Sequence, residues 1–277
     1  MISSAPVGEI VLLAGLILVG GIVTGILAGL FGIGGGALIV PALYEVFGAL
    51  GVSDAVRFQL CVGTSIAIIV PTNLSSFRVH WARGVVLMEV VRAWAVPAIA
   101  GVAAGSAIAA FAPGAVLKLA FVVIAGVIAA KLLLGRESWR VSDHLPRRGG
   151  MIGYGFIVGL CASLMGISGG SIINIILSLH GVSMLKAVAT SAGLGVPIAV
   201  AGTIGDVIAG LPQQAQMPPF SLGFVSLIGF ALMAPVTSLT APLGARLAHA
   251  LSKRALEVGF GWFLLLVCLR FLLSLVW

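Results

Sequence analysis

Charge is what this sequence has least of. Asp, Glu, Lys and Arg together make up 8% of its 277 residues, where a soluble domain carries about a quarter. A water-facing surface cannot be built from so few. Met1–Gly8 holds no Lys or Arg, so the first apolar run lacks the basic flank of a signal peptide and reads as a retained span. Cysteine is scarce too. Cys61, Cys161 and Cys268 lie in apolar runs without CxxC spacing, which excludes a disulfide framework and a thiolate metal site. His144, His180 and His249 show no ligand spacing, so no metal is expected. A dinucleotide reading of Gly32–Gly36 fails on context, because no soluble strand precedes it and no acidic residue follows at the required place. No cofactor is expected.

What is present is apolar. Hydrophobic residues make up 60% and glycine contributes 38 residues, with a mean hydropathy of +1.23. Lipid is the solvent implied, and glycine at this level suits helices packed closely in a bilayer. The net charge of +7 is assigned to cytoplasmic loops, and nucleic acid is not an expected partner. Apolar stretches run at roughly 9–31, 35–50, 56–77, 85–111, 115–135, 151–166, 169–180, 186–209, 221–248 and 255–276, where a full crossing takes about 20 residues. The second and seventh are short, and each opens in a glycine cluster. The expected class is an all-α polytopic membrane protein of eight to ten membrane elements. A first transmembrane repeat covers 1–135, a basic cytoplasmic linker 136–150 and a second repeat 151–277.

Sidedness follows from the basic residues. If the short stretches cross, the N-terminus lies outside. Arg78, Arg83, Lys131, Arg136, Arg140, Arg147, Arg148, Lys186, Arg246, Lys253 and Arg254 then fall inside, leaving Arg57, Lys118 and Arg270 outside and Arg92 in a span. If the short stretches are re-entrant, Arg246, Lys253 and Arg254 move outside. The positive-inside rule prefers ten elements, with five in each half and the halves facing opposite ways.

The halves also resemble each other. Residues 25–36, GILAGLFGIGGG, align without gaps on residues 159–170, GLCASLMGISGG, and agree at Gly25/Gly159, Ala28/Ala162, Leu30/Leu164, Gly32/Gly166, Ile33/Ile167, Gly35/Gly169 and Gly36/Gly170. A second match follows in the same order: Val62, Thr64, Ser65, Val70 and Pro71 on Val188, Thr190, Ser191, Val196 and Pro197. Opposed repeats with helices broken at corresponding positions point to a secondary transporter whose site lies where the breaks meet, near the bilayer midplane. A glycine break is tolerated in hydrocarbon only where it is buried or lines a wet cavity. The helix beginning after it offers free N–H groups and the positive end of its dipole, which together make an anion site without a buried Lys or Arg.

At these residues the chain resembles the TauE/SafE family, the sulfite-exporter and anion-permease group. The resemblance rests on residues 29–43, GLFGIGGGALIVPAL, and on VGTS at 62–65, with weaker second copies at 166–171 and 189–191. It covers the chain from about residue 10 onward. It implies a carrier in the bacterial inner (plasma) membrane for small sulfur oxyanions or organosulfonates such as sulfite or sulfoacetate. The family is commonly described with seven or eight spans, fewer than the ten elements the charges favour. The second copy departs from the first at Ser168, opposite Gly34, and at Asn174, opposite Val40, so the two half-sites are unequal.

Candidate substrate-binding residues are therefore Gly34, Gly35, Gly36, Thr64, Ser65, Ser168, Gly169, Gly170, Ser171, Asn174, Thr190 and Ser191. Backbone N–H groups are the main donors and the hydroxyls supplement them. The competing role for the Thr-Ser pairs is bonding a carbonyl one turn back. Asn73, Ser75 and Ser76 extend the polar lining. Glu45 and Asp206, charged inside spans, and Arg78 and His80, in a basic inner loop, are candidates for coupling or gating. Glu89 and Arg92 read as an interfacial ion pair, and the Gly21/Gly25/Gly29 series as a close-packing face. The partners expected are a small anion, the lipid bilayer and a co-transported proton, with a homo-oligomer compatible. A passive anion channel is one alternative. Another is an intramembrane serine protease with Ser168 as nucleophile and His249 as base, but Gly34 keeps the same backbone pattern without a nucleophile.

Overall fold

The computed structural model describes residues 15, 18–27, 36–135, 141–142, 144–146, 148–248 and 253–276. Each of the ten apolar stretches carries one helix: α1 (Leu18–Leu27), then α2 (Gly36–Ala49), α3 (Asp54–Ala82), α4 (Met88–Phe111), α5 (Gly114–Leu134), α6 (Arg148–Met165), α7 (Gly170–Leu179), α8 (Met184–Gly210), α9 (Leu227–Ala248) and α10 (Lys253–Val276). Five of them, α3, α4, α5, α8 and α10, are long and apolar enough to cross a bilayer. Large apolar side chains such as Phe111, Val127, Leu239 and Leu266 stand outward, while Thr64, Ser65, Asn73, Asn174 and Thr190 are buried. That is the distribution a lipid solvent imposes: polar groups stay inside, away from the hydrocarbon. The chain is an all-α polytopic membrane protein.

α2 has 14 residues and α7 has 10, about 21 and 15 Å at 1.5 Å per residue. Both fall short of the roughly 30 Å hydrocarbon core. Each packs along the long helix that follows it, α2 on α3 and α7 on α8. Other contacts pair in the same way. α4 lies on α8 as α9 lies on α3, while α3–α8 and α5–α10 pair across the halves. The α4–α6 contact, the most extensive among the described elements, has its counterpart in α1–α9. Gly155 and Gly159 of α6 bring that helix onto Trp94, Pro97 and Ala98 of α4; Gly21 and Gly25 of α1 bring it onto Met233, Val236 and Thr237 of α9. Glycine at these positions lets backbone meet backbone, since a Cβ on Gly159 would run into the Ala98 carbonyl. Gly29 lies outside the described residues. The core of the α2, α3, α5 and α10 end is a cluster of edge-on rings, Tyr44, Phe58, Phe121 and Phe271, with centroids 5.1–6.4 Å apart.

Three sequence expectations need correction. Residues 221–226 are not part of a span: Ser221–Leu222 pairs antiparallel with Val225–Ser226 after a 3₁₀ turn, Leu211–Gln216, and only then does α9 begin. The strands are apolar enough to pass for helix, but Gly223 supplies the positive φ of 54° that the tight turn requires. Arg78 and His80 are not in a loop, because α3 runs on to Ala82. Glu89 and Arg92 are both exposed and, among the described residues, make no ion pair; at a membrane edge each stays solvated on its own.

Candidate functional site

The second glycine break is built by two left-handed residues. Gly166 (φ 70°) closes α6: its N–H donates to Ser163 O at 3.3 Å, and the N–H of Ile167 donates to Ala162 O at 3.0 Å. This pair of bonds is the Schellman closure of a helix. Gly169 (φ 74°) then caps α7 without a side-chain bond. The first helical bond of α7 is Ile173 N–H to Gly169 O at 2.9 Å, so the N–H groups of Gly170, Ser171 and Ile172 have no acceptor inside the helix. Gly169 folds back against Val158 and Ala162. Val158 lies ten residues into α6, so α7 starts about 15 Å along that helix.

The two breaks meet. A Cβ on Gly36, the first residue of α2, would run into Gly166 O and stand 2.7 Å from Ile167 Cα. One on Gly166 would stand 2.7 Å from Val40 Cγ2 and 2.9 Å from Val62 Cα. Ser65 of α3 donates to Gly166 O at 2.7 Å, a buried bond that ties the first Thr-Ser pair to the second break. Gly34 and Gly35 lie outside the described residues.

Around this junction lie buried polar groups with unmet capacity. Among the described residues, Asn73 Nδ2 and Asn174 Oδ1 are buried without a partner. Asn73 Nδ2 and the Cβ of Ser168 both press on the bare face of Gly195 of α8, where a Cβ would collide with the amide. Ser168, Gly170 and Ser171 are buried as well. An amide N–H, three free backbone N–H groups and nearby hydroxyls, with no carboxylate among them, form a donor-rich lining suited to an oxyanion.

The hydroxyls divide by task. Thr64 Oγ1 accepts the N–H of Ser226 at 2.9 Å, just ahead of α9, and Thr190 Oγ1 accepts the N–H of Leu87 at 3.0 Å, just ahead of α4. Equivalent threonines thus hold equivalent helix starts in the two halves. Among the described residues, neither makes the bond to a carbonyl one turn back that the sequence also allows. Ser191 does make it, to Val188 O at 2.9 Å.

The charged candidates lie elsewhere. Glu45 pairs with Arg270 at 2.9 Å on the exposed end of α2, beside an open pocket of about 450 Å³ lined by Tyr44, Asp54, Arg57, Arg270, Leu273 and Ser274. There Arg57 bridges to Asp54 at 3.1 Å, and buried Lys118 donates to Tyr44 Oη at 2.6 Å. The three basic residues assigned to the outside thus gather at one end of the molecule. Arg78 is exposed; His80 is half-buried with Nδ1 unpartnered. Asp206 is buried on α8, where Oδ1 accepts from Ser106 Oγ at 3.0 Å and Ser163 Oγ lies 3.1 Å beyond. Sequence reasoning missed Ser106, which stands in Ala/Gly surroundings with no local pattern to mark it, and Ser163, which lies inside the repeated segment 159–170 opposite Gly29 and passes there for a packing residue. His249, the supposed base for Ser168, lies outside the described residues, and among the described residues no histidine bonds to Ser168.

A model of the family described as "Sulfite exporter TauE/SafE" matches residues 17–271. A protein of Haemophilus influenzae named "Probable membrane transporter protein" is 29% identical over 255 residues, covering 92% of this chain and 96% of its own length. One of Methanocaldococcus jannaschii, also named a probable membrane transporter protein, is 28% identical over 251 residues, covering 90% and 92%. No solved structure matches.

Proposed function

The chain belongs to the TauE/SafE sulfite exporter family of membrane transporters, and we propose that it is a secondary carrier of small anions, of the sulfur oxyanion or organosulfonate class, working in the cytoplasmic membrane of a bacterial-type cell. The anion sits between the start of α2 at Gly36, which Gly34 and Gly35 precede in sequence, and the Ser168–Ser171 corner. The observation that carries this reading is the meeting of the breaks at Gly36 and Gly166, where the free N–H groups of α7 and the unpartnered amide of Asn73 are buried together. The start of α7 about halfway along α6 supports a site at mid-membrane depth. Recurrence of the α4–α6 and α4–α8 contacts as α1–α9 and α3–α9 supports the division into two repeats at the 136–150 linker. A proton moving with the anion belongs to the same reading.

A carrier fits better than a channel. At the junction Gly36 touches Gly166 with no room for a methyl group, so an anion enters only when the corners part. Saturable counterflow follows from such a gate, whereas a pore passes ions in bursts.

The test is counterflow in vesicles with radiolabelled sulfite, sulfoacetate, thiosulfate and sulfate, comparing wild type with Asn73→Leu and Ser168→Ala. Losing a hydrogen bond to a charged group costs about 1.5–3 kcal/mol, so Asn73→Leu weakens the half-saturating concentration by about 10- to 150-fold. Transport of none of the four anions, or unchanged transport in both variants, would remove the proposed site.

A further inference from the structure

Among the described residues, no basic group balances the carboxylate of Asp206. Asp206 is 1% exposed, close to the C-terminal end of α8, and four elements enclose it. Gly63 of α3 faces its Cβ, which stands 3.2 Å from where a Cβ on that glycine would be. Ser106 of α4 donates to Oδ1, and Ser163 of α6 stands behind Ser106. The hairpin closes the fourth side, with Phe224 N–H donating to the Asp206 backbone carbonyl at 3.2 Å. Oδ2 is buried and has no partner.

The charged and titratable residues of those elements lie elsewhere along them. On α3, Asp54 and Arg57 pair with each other at the helix start, Arg78 and His80 occupy the last turns, and Cys61 is two residues from Gly63, on the opposite side of the helix. Glu89 and Arg92 stand near the start of α4, about 20 Å from Ser106. α6 contributes Arg148 at its first residue, then Tyr154 and Cys161; α8 itself contributes Lys186 in its first turn; the hairpin contributes none. Among the described residues, none of these bonds to Asp206. An ionised carboxylate so enclosed, with one neutral hydroxyl donor, is poorly solvated.

Resting on the anion-carrier reading, we propose that Asp206 is the proton-binding group of a proton–anion symport and that Ser106 and Ser163 link it to the substrate site. The link is short. Gly63 backs Asp206 while its neighbour Val62 backs Gly166 of the second break, and Ser163 O accepts the N–H of Gly166. An anion at the junction therefore lies within a helix width of Asp206, where a second negative charge is repelled. The loaded carrier takes up the anion and one proton together. When the opposite side opens to water, the acid dissociates to carboxylate and H⁺, and anion and proton leave together. Ser106 donates to the carboxylate but can turn toward Ser163 when Oδ1 carries the proton, so the charge on Asp206 is felt in the last turn of α6.

The experiment uses vesicles at clamped voltage, with the four sulfur anions tested in turn. Wild type should accumulate its anion about tenfold per unit of imposed pH difference for one proton per anion. Asp206→Asn mimics the neutral acid. It should keep counterflow, make it independent of pH, and lose all pH-driven accumulation. Ser106→Ala should keep driven uptake but shift its pH profile. Infrared difference spectra of wild type with and without anion should show a carboxylic carbonyl band that Asp206→Asn lacks; if that variant does not fold, displacement of the band in Ser106→Ala decides instead. Wild type that exchanges none of the anions overturns the carrier reading and this proposal with it. Exchange without pH-driven accumulation, accumulation surviving in Asp206→Asn, or no carboxylic band responding to anion overturns the proton assignment alone.

Discussion

Replacing Thr64 by valine keeps the shape of the side chain and removes the oxygen that holds the start of α9. The N–H of Ser226 then has no acceptor, and both residues are buried. A stranded buried donor costs about 1–3 kcal/mol. Interhelical hydrogen bonds in membranes average about 0.6 and reach about 1.7 kcal/mol, because the unfolded chain in lipid also finds partners. The donor here is stranded in the folded state with no path to water, so Thr64→Val should lie near the top of that range, at about 1.5–2 kcal/mol. The equivalent Thr190→Val strands the N–H of Leu87, which is half-buried at the start of α4. Water or a headgroup can replace the lost acceptor, and the cost should be about 0.5 kcal/mol. Thr64→Ser keeps the oxygen and loses only the methyl that packs near Gly229, at about 0.5–1 kcal/mol. Steric-trap unfolding in bicelles measures all three, and the expected order is Thr64→Val, then Thr64→Ser, then Thr190→Val. If Thr64→Val is no worse than Thr190→Val, the oxygen is not holding α9. If it leaves stability unchanged and weakens anion binding, Thr64 is a substrate ligand and the cap is incidental.

Other outcomes follow from the same contacts. Tyr44→Phe removes the oxygen that accepts from the buried Lys118 ammonium and should cost about 1.5–3 kcal/mol, the range for a lost hydrogen bond to a charged group; adding Lys118→Met should recover most of that loss in a double-mutant cycle. Glu45→Gln breaks only the exposed pair with Arg270 and should change stability by less than about 1 kcal/mol, with the residual effect fading in high salt. Gly159→Leu drives a side chain into the Ala98 carbonyl and should prevent stable assembly of α6 on α4, seen as loss of the folded peak in detergent chromatography.

The helices were legible because lipid leaves an apolar stretch little choice but to close its own hydrogen bonds. The hairpin at 221–226 escaped because its residues are as apolar as a helix and its one signal, Gly223, is lost among 38 glycines. Gly21 and Gly25 declared a packing face through their spacing, yet the partner, α9, is set by tertiary structure alone. The repeat placed Thr64 opposite Thr190, and the fold keeps that equivalence while giving the pair a task no local pattern encodes: accepting from an N–H 162 residues away in one case and 103 in the other. Asp206 announced itself as a charge in a span. Its hydroxyl partners did not, since Ser106 among alanines and glycines, and Ser163 opposite Gly29 in the repeat, each read as another small residue.

On the carrier reading, the way the two halves interlock bears on how the protein moves. If repeat 1–135 swung as a body against 151–277, α4 would have to leave α6 and α1 would have to leave α9. Those are the contacts where glycines bring backbone against backbone. Such interfaces are shaped for one fit and do not slide readily. The short helices α2 and α7 are held mainly by the long helix each precedes, and they carry the two corners. Parting the corners by shifting α2 with α3 against α7 with α8 keeps both glycine interfaces intact. Joining α4 to α6 distinguishes the two motions. Ser106 Oγ and Ser163 Oγ lie 3.1 Å apart, so cysteines there, in a background lacking Cys61, Cys161 and Cys268, are placed to form a disulfide. With the bond formed, counterflow should continue at a rate within about threefold of the reduced protein, an activation difference of about 0.65 kcal/mol. Counterflow abolished on oxidation and restored by reductant would mean that the sequence repeats are themselves the moving bodies.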